Sequence, residues 1–192
     1  MPTQNLYPNA AGDLTQFPTI VNPVSSNHFQ AVDETSADDD TTYIQSGADE
    51  LSDGFFIVIK ENSTTTAVQK GNTTSYANYT NQWTAKPSNS SAFTVTDINN
   101  LQIGVKFTGP DNPTNQTDLF NIQDWPNNSG DTINSITVTA RYKDSSAPAS
   151  INSMRCTQVF VTVDYTEAQI IPVKLNLTSG KVKITSGKLT IK

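Results

Sequence analysis

Acidic side chains form the densest group in this sequence that could do chemistry. They occupy positions 33, 34 and 38–40, just ahead of a β-branched run that contains Tyr43. Consecutive carboxylates repel one another, so a chain tolerates them where they are solvated, where they cap a turn or where they share a hard cation. Calcium would be bound by Asp38 and Asp40 with backbone carbonyls, without the complete D-x-D-x-D-G-x5-E loop. We favour a turn in which an aspartate accepts backbone N–H groups and fixes the start of the Tyr43 strand.

Catalytic motifs are a second source of candidates, and the sequence offers few. His28 is the only histidine, so a Ser-His-Asp triad would have to be built around it; we expect a structural or surface role instead. Cys156 is the only cysteine, and its place ahead of an alternating stretch predicts an inert, half-buried thiol. Motifs for acyl transfer, zinc proteolysis and nucleotide binding do not occur. We therefore expect no enzymatic activity and no cofactor, with calcium as the one candidate.

Three aromatic residues are candidates for a carbohydrate-binding surface. Trp83, Tyr76 and Trp125 all have loop or turn residues close by, and exposed aromatic rings offer a flat face on which a sugar can stack. The alternative is that these rings close the edge of a hydrophobic core, which is the commoner position of aromatic residues in a small β-domain.

Composition narrows the class of protein. The chain has 192 residues, of which 35% are hydrophobic and 16% charged, with a formal net charge of -6 and a mean hydropathy of -0.42. Clustered Lys and Arg are needed to bind nucleic acid, and no basic cluster precedes the C-terminal tail, so we expect no nucleic-acid partner. The longest apolar run, residues 55–59, is far below the roughly 20 residues of a membrane span. The N-terminus has no basic region followed by an apolar one, which favours synthesis and folding in the cytoplasm.

The elements that would position these side chains are short strands. Abundant Thr, Ser and Asn suit strands and turns, and Ile136, Val138, Ala140 and Tyr142 alternate with polar residues, so that one face is buried. Residues 159–165 alternate in the same way. Further strands are predicted at 29–32, 41–45, 55–60, 65–69, 75–84, 92–95 and 101–108, and one helical turn at 96–100, capped by Thr96 or Asp97. The prediction is an all-β protein, an antiparallel, jelly-roll-like β-sandwich over residues 29–167.

An extended N-terminal arm is predicted for residues 1–28. Four prolines among Asn, Gln and Thr favour extended chain, which would be ordered only where its few apolar side chains find a surface. Docking on a neighbouring subunit and lying along its own domain are equally compatible with this pattern.

The last 25 residues, 168–192, contain a seven-residue repeat in which L-T-S-G-K-V-K is followed by I-T-S-G-K-L-T. A Ser-Gly pair in each repeat argues against a helix and favours short strands that turn at Ser-Gly. Such strands cannot bury a core alone, so they need either their own sandwich or strands from other chains. In the second case the tail is an oligomerisation or strand-exchange element. Its apolar candidates are Ile170, Ile171, Val173, Leu175, Leu177, Val182, Ile184, Leu189 and Ile191.

Several stretches resemble β-sandwich structural proteins of tailed bacteriophages. The first is A-V-D-E at 31–34 with D-D-D-T-T-Y-I at 38–44, and the others are T-D-I-N-N-L-Q-I-G-V at 96–105, T-I-N-S-I-T-V-T-A-R at 132–141 and T-Q-V-F-V-T-V-D-Y at 157–165. The resemblance implies a non-enzymatic virion subunit, such as a capsid decoration, head fibre or tail-associated protein. Its expected location is the exterior of the capsid or tail, and its expected partners are copies of itself and other virion proteins. The alternatives are a lectin-like module that binds host-surface glycans and a subunit of an extracellular filament.

Overall fold

A computed structural model describes residues 1–21, 27–47, 54–71, 73–108, 116–144 and 153–169. Eleven strands and two short helices lie within these ranges. The strands are β1 (Thr3–Leu6), β2 (Pro8–Thr15), β3 (Thr19–Val21), β4 (Tyr43–Gln45), β5 (Gly54–Glu61), β6 (Thr64–Lys70), β7 (Ala77–Trp83), β8 (Gln102–Thr108), β9 (Gln116–Ile122), β10 (Thr132–Asp144) and β11 (Met154–Thr166). The helices are a 3-10 turn at His28–Ala31 and α1 at Val95–Asn99.

The strands form two antiparallel sheets that face each other, which confirms the predicted all-β sandwich. The first sheet has the order β3-β4-β11-β10-β7, with β1 also paired to β11, and the second has the order β2-β9-β8-β5-β6. One hydrophobic core fills the space between them. Its largest fully buried side chains come from both sheets, among them Tyr142, Phe55 and Phe107.

The alternation in β10 and β11 sets the faces of the first sheet. Ile136, Val138 and Ala140 are completely buried, as are Val159 and Val161. These residues point into the sandwich because successive side chains of a strand face opposite sides. The buried face that the sequence pattern predicts for these two strands is thus confirmed, whereas on the predicted solvent face Thr139 and Gln158 are also buried.

Residues 1–21 are part of the sandwich, which is the second of the two arrangements that the N-terminal pattern allowed. β1 pairs with β11 in the first sheet, β2 pairs with β9 in the second, and β3 returns to pair with β4 in the first. Leu6 and Phe17 are buried, and the Tyr7 ring lies 5.6 Å from that of Phe160, the one aromatic residue on the outer face of β11. The segment therefore joins the two sheets to each other.

Two predicted strands are wrong. Residues 29–32 begin in the 3-10 helix instead, and residues 92–95 lead into α1. The helical turn is confirmed, but its cap is Thr94, whose side chain accepts the Asp97 backbone N–H while the Asp97 carboxylate accepts that of Thr94. This reciprocal pair satisfies two donors at the helix start that a strand would leave to a neighbour.

Candidate functional site

Three cationic side chains lie together on the outer face of the first sheet. Arg141 and Lys143 alternate with Tyr142, which is completely buried, so they point away from the core. Arg155 of β11 lies directly opposite Lys143 in the β10–β11 register. Like charges in directly opposite positions of two strands destabilise the pair, so this face requires compensating negative charge.

The acidic loop at 38–40 supplies that charge. Asp39 accepts two hydrogen bonds from the Arg141 guanidinium, at 2.6 Å from Nε and 2.9 Å from Nη2. Asp40 accepts from Lys143 Nζ at 2.8 Å on each carboxylate oxygen and from Arg155 Nη1 at 3.3 Å. One carboxylate thus bridges the two opposed cations, and the hydrogen bond from Lys143 is the largest cause that holds the pKa of Asp40 below its ordinary value.

Two tyrosine rings complete this cluster. The ammonium nitrogen of Lys143 lies 4.4 Å from the centre of the Tyr76 ring, and the Arg155 guanidinium lies 4.7 Å from that of Tyr43. The Tyr76 hydroxyl donates to Asp40 at 3.2 Å. Burial is the main cause that raises the pKa of Tyr76, so this hydroxyl stays protonated and acts as a donor.

Asp38 forms the turn that the sequence predicts. Its carboxylate accepts the Thr42 backbone N–H at 3.1 Å and the Thr42 hydroxyl at 2.8 Å, immediately before β4 begins at Tyr43. The Thr157 hydroxyl also donates to it, at 3.3 Å. The turn is therefore attached to β11 as well as to the start of β4.

The two carboxylates of the calcium hypothesis have different partners. Asp38 accepts from threonine hydroxyls and backbone, whereas Asp40 accepts from Lys143 and Arg155. Across the described ranges, no three His, Cys, Asp or Glu side chains are grouped so that they could hold a metal ion. The chain's own cations thus neutralise Asp39 and Asp40, whereas the partners of Asp38 are uncharged.

The first two residues of the acidic segment, Asp33 and Glu34, have fewer hydrogen-bond partners for their carboxylates. Glu34 Oε1 lies 2.5 Å from the Thr42 hydroxyl, whose one proton it shares with Asp38, while its Oε2 is buried with no partner among the described residues. Burial raises the pKa of Glu34, and it raises that of Asp33 as well. Glu34 is nevertheless attached to β11, because its backbone carbonyl accepts the Gln158 side-chain amide at 2.6 Å, so it anchors the loop together with Asp38, Asp39 and Asp40.

Replacing Asp40 with asparagine is expected to lower the free energy of unfolding at pH 7 by about 0.5 kcal/mol, the scale of exposed ion pairs. The reason is that Lys143 and Arg155 would then face each other without a shared anion. The pKa of Asp40 is lowered in the folded state, so its contribution is present above its unfolded pKa and is lost as the pH falls through the lower folded value. Urea unfolding of both proteins at pH 7 and in acid measures this difference.

As a matched control, Asp124→Asn changes an exposed aspartate. Its urea unfolding midpoint should equal that of the wild type both at pH 7 and in acid. A difference between wild type and Asp40→Asn that persists undiminished at the lowest pH would contradict the ion-pair origin of the effect.

The three aromatic residues of the glycan hypothesis are not brought together. Tyr79 of β7 stacks on the core residue Tyr142 at 4.1 Å, so Trp83, four residues further along, shares its inward face and packs against the core edge. Tyr76 precedes Tyr79 by three residues, an odd number, so its side chain lies on the opposite, outer face and belongs to the cationic cluster. Trp125 is 7% exposed. Strand alternation and burial thus place the three rings in three different surroundings.

A small, open surface pocket of about 220 Å³ lies close to Trp125. The Trp125 ring meets that of Tyr165 edge-on at 4.8 Å, and its Nε1–H donates to Asp131 at 3.1 Å. The other oxygen of Asp131 accepts the Ala168 backbone N–H at 2.9 Å. The lining residues are Asn127, Asn128, Asp131, Tyr165, Glu167 and Ala168. Sequence reasoning selected Trp125 but missed the pocket, whose amide and carboxylate groups come from two distant parts of the chain.

The single histidine and cysteine are both built into the fold. His28 Nδ1 lies 2.5 Å from Oδ2 of Asp118, a completely buried carboxylate, which agrees with the structural role expected for the histidine. Cys156 is completely buried, not half-buried as predicted, because it faces the core on β11. Burial raises the pKa of its thiol, which keeps it in the unreactive protonated form.

The predicted oligomerisation residues, from Ile170 to Ile191, lie outside the described residues. The cationic cluster, by contrast, is described in full, and sequence reasoning missed it. A signal was available, because three of the seven cations that precede the tail occupy the facing ends of the two most regular strands.

In comparisons with known proteins, no family model, no curated protein and no solved structure matches the chain. Among the described residues, no helix is long and apolar enough to cross a membrane. The fold and the cluster define an all-β sandwich whose acidic loop is held on the outer face of one sheet.

Proposed function

We propose that this chain is a non-enzymatic structural subunit of a bacteriophage virion that assembles through its C-terminal segment. The observation that carries the proposal is the position of residues 1–6 relative to residues 165–169, which lead into the C-terminal segment. Thr3 pairs with Asp164 and Leu6 with Val161, and the Tyr165 N–H donates to the Pro2 carbonyl at 3.2 Å. Residues 1–6 and residues 165–169 therefore lie at one end of the sandwich.

This placement suits a subunit that is attached at one end and displayed at the other. The acidic loop ahead of β4 contacts both β10 and β11, so it is held against the first sheet of the displayed body. The last residues carry alternating apolar side chains and all five lysines that follow Arg155, with no acidic residue after Glu167. A basic, alternating segment of this kind can add strands to a neighbouring acidic subunit.

The test compares two triple variants of the full chain. Val173→Ser, Leu175→Ser and Leu177→Ser remove one face of the predicted strand, whereas Lys174→Arg, Asn176→Ser and Thr178→Ser change only the opposite face and keep the charge of the segment. Light scattering should show smaller particles for the first variant and wild-type particles for the second, with unchanged circular dichroism. Equal particle size for wild type and both variants would overturn assembly through this segment.

The virion and the cell-surface filament share the same physics of strand exchange, so a different observation separates them. Portal and terminase genes beside the gene for this chain would support the virion. Export and cell-wall genes in that position would support the filament.

The surface pocket favours a second candidate, a lectin-like function. Asn127, Asn128 and Glu167 offer hydrogen-bonding groups for sugar hydroxyls, and Tyr165 offers a ring. The volume of about 220 Å³ is below the roughly 300–1,000 Å³ of sites for drug-sized ligands, so the pocket itself would hold about one sugar residue. A glycan array probed with wild type and Asn127→Ala tests this candidate. Identical binding profiles for the two proteins would exclude this pocket as the sugar-binding site.

A further inference from the structure

The two sheets end on one side in a matched pair of long edge strands. β6 is the last strand of the second sheet and β7 is the last strand of the first. Each has seven residues, and among the described residues no strand lies beyond either of them. Each therefore presents a row of backbone donors and acceptors that another strand could use.

The opposite side of the sandwich is protected against such pairing. β3 has only three residues. β2 starts at Pro8, carries Asp13 and shows two register shifts against β9. Short length, proline, charge and bulges are the devices by which natural sheets prevent pairing at their edges.

None of these devices is present in β7. Its sequence A-N-Y-T-N-Q-W has no charge and no proline, and it pairs with β10 over seven consecutive residues without a shift. The only charge in β6 is Lys70, and its ammonium group donates to Asn81 of β7 at 2.9 Å. Two copies of a chain with a net charge of -6 repel each other. Because β7 has no charged side chain, two β7 strands can approach without repulsion between their own residues.

We infer that β7 pairs with β7 of a second copy across a two-fold axis, so that the first sheet becomes continuous through both subunits. Antiparallel pairing that is centred on Thr80 uses all seven residues and is the same for both copies, as a two-fold interface requires. Thr80 then faces Thr80 of the partner subunit. The other outer-face residues, Asn78 and Gln82, face each other across the axis, and Thr–Thr and amide pairs of this kind can share hydrogen bonds.

The same pairing accounts for the position of Trp83. Its indole is half-buried at the end of β7, where it packs against the core edge. In the register centred on Thr80, Trp83 lies opposite the small side chain of Ala77 of the partner subunit. The large ring and the small methyl group are then complementary, and the exposed part of the indole is covered.

A charge exchange at Thr80 tests this interface. Thr80→Lys places two lysines directly opposite each other and is expected to raise the Kd of the dimer about fivefold, as is Thr80→Glu. A mixture of the two variants, with one of them labelled with ¹⁵N, should form mixed dimers in preference to either homodimer in native mass spectrometry. Thr137→Lys, on the outer face of the interior strand β10, is the matched control and should leave the Kd unchanged.

The substitutions are made both in the wild-type chain and in the Val173→Ser, Leu175→Ser, Leu177→Ser variant, because the β7 interface is independent of assembly through the C-terminal segment. In that triple variant the chain should still form a dimer through β7, and Thr80→Lys should raise the Kd of this dimer as it does in the wild-type chain. A monomer at all concentrations would overturn the β7 interface without affecting the proposed function. Equal effects of Thr80→Lys and Thr137→Lys, or random mixing of the Lys and Glu chains, would overturn it as well.

Discussion

Replacing Asp118 with alanine is expected to lower the free energy of unfolding by about 3–5 kcal/mol, since it removes the partner of one buried and two partly buried groups and each buried donor that loses its partner costs roughly 1–3 kcal/mol. The Asp118 carboxylate is completely buried. It accepts the backbone N–H groups of Gln16 at 2.6 Å and Phe17 at 2.9 Å, and it lies 2.5 Å from His28 Nδ1. Alanine would leave all three of these groups without their acceptor.

Thermal unfolding provides the measurement. A loss of this size should lower the Tm by about 10 °C, given about 2–4 °C for each kcal/mol in a protein of this length. Asp124→Ala, at an exposed position, should change the free energy of unfolding by less than about 0.5 kcal/mol. A Tm for Asp118→Ala within 2 °C of wild type would show that the carboxylate does not hold the N-terminal segment on β9.

Gly104→Ala is expected to cost about 3 kcal/mol or more, at or above the upper end of the usual overpacking penalty. A methyl group at this position would overlap the backbone carbonyl oxygen of Asp118, and it would lie 2.9 Å from the carbonyl carbon of the same residue. Both atoms belong to the neighbouring strand β9, which pairs with β8 on one side and β2 on the other. The strand cannot move away without loss of these pairings.

Gly71→Ala is the matched control, since nothing lies within 4 Å of the methyl group that it would add. We expect its free energy of unfolding in urea to stay within about 0.5 kcal/mol of wild type. If Gly104→Ala and Gly71→Ala had the same stability, the close approach of β8 and β9 at Gly104 would be contradicted.

Both predictions concern one region, where the N-terminal segment meets β9. Sequence patterns do not predict this region, because β9 reads Q-T-D-L-F-N-I and a carboxylate in a strand is typical of an exposed position. Asp118 is buried because it meets donors from residues about 100 positions earlier in the chain. Periodicity describes which face of a strand is apolar, and it contains no information about such a distant partner.

The acidic motif shows the same division between local and distant information. The turn at Asp38 depends on Thr42, four residues away, and local spacing was sufficient to predict it. The partners of Asp39 and Asp40 lie on β10 and β11, more than 100 residues further along the chain. The sequence hypothesis of a calcium ion at Asp38 and Asp40 could not anticipate these partners, because the arginines and the lysine reach the loop only through the tertiary fold.

The sequence alone determined the β class of this protein, the buried faces of β10 and β11, the helical turn at α1 and the turn at Asp38. All of these follow from alternation, turn residues and capping, which act over a few residues. Only the tertiary structure decided that the N-terminal segment joins both sheets, that Asp118 is buried, and that the acidic loop neutralises Arg141, Lys143 and Arg155. These features depend on which strands become neighbours, and strand order is set by packing of the whole core.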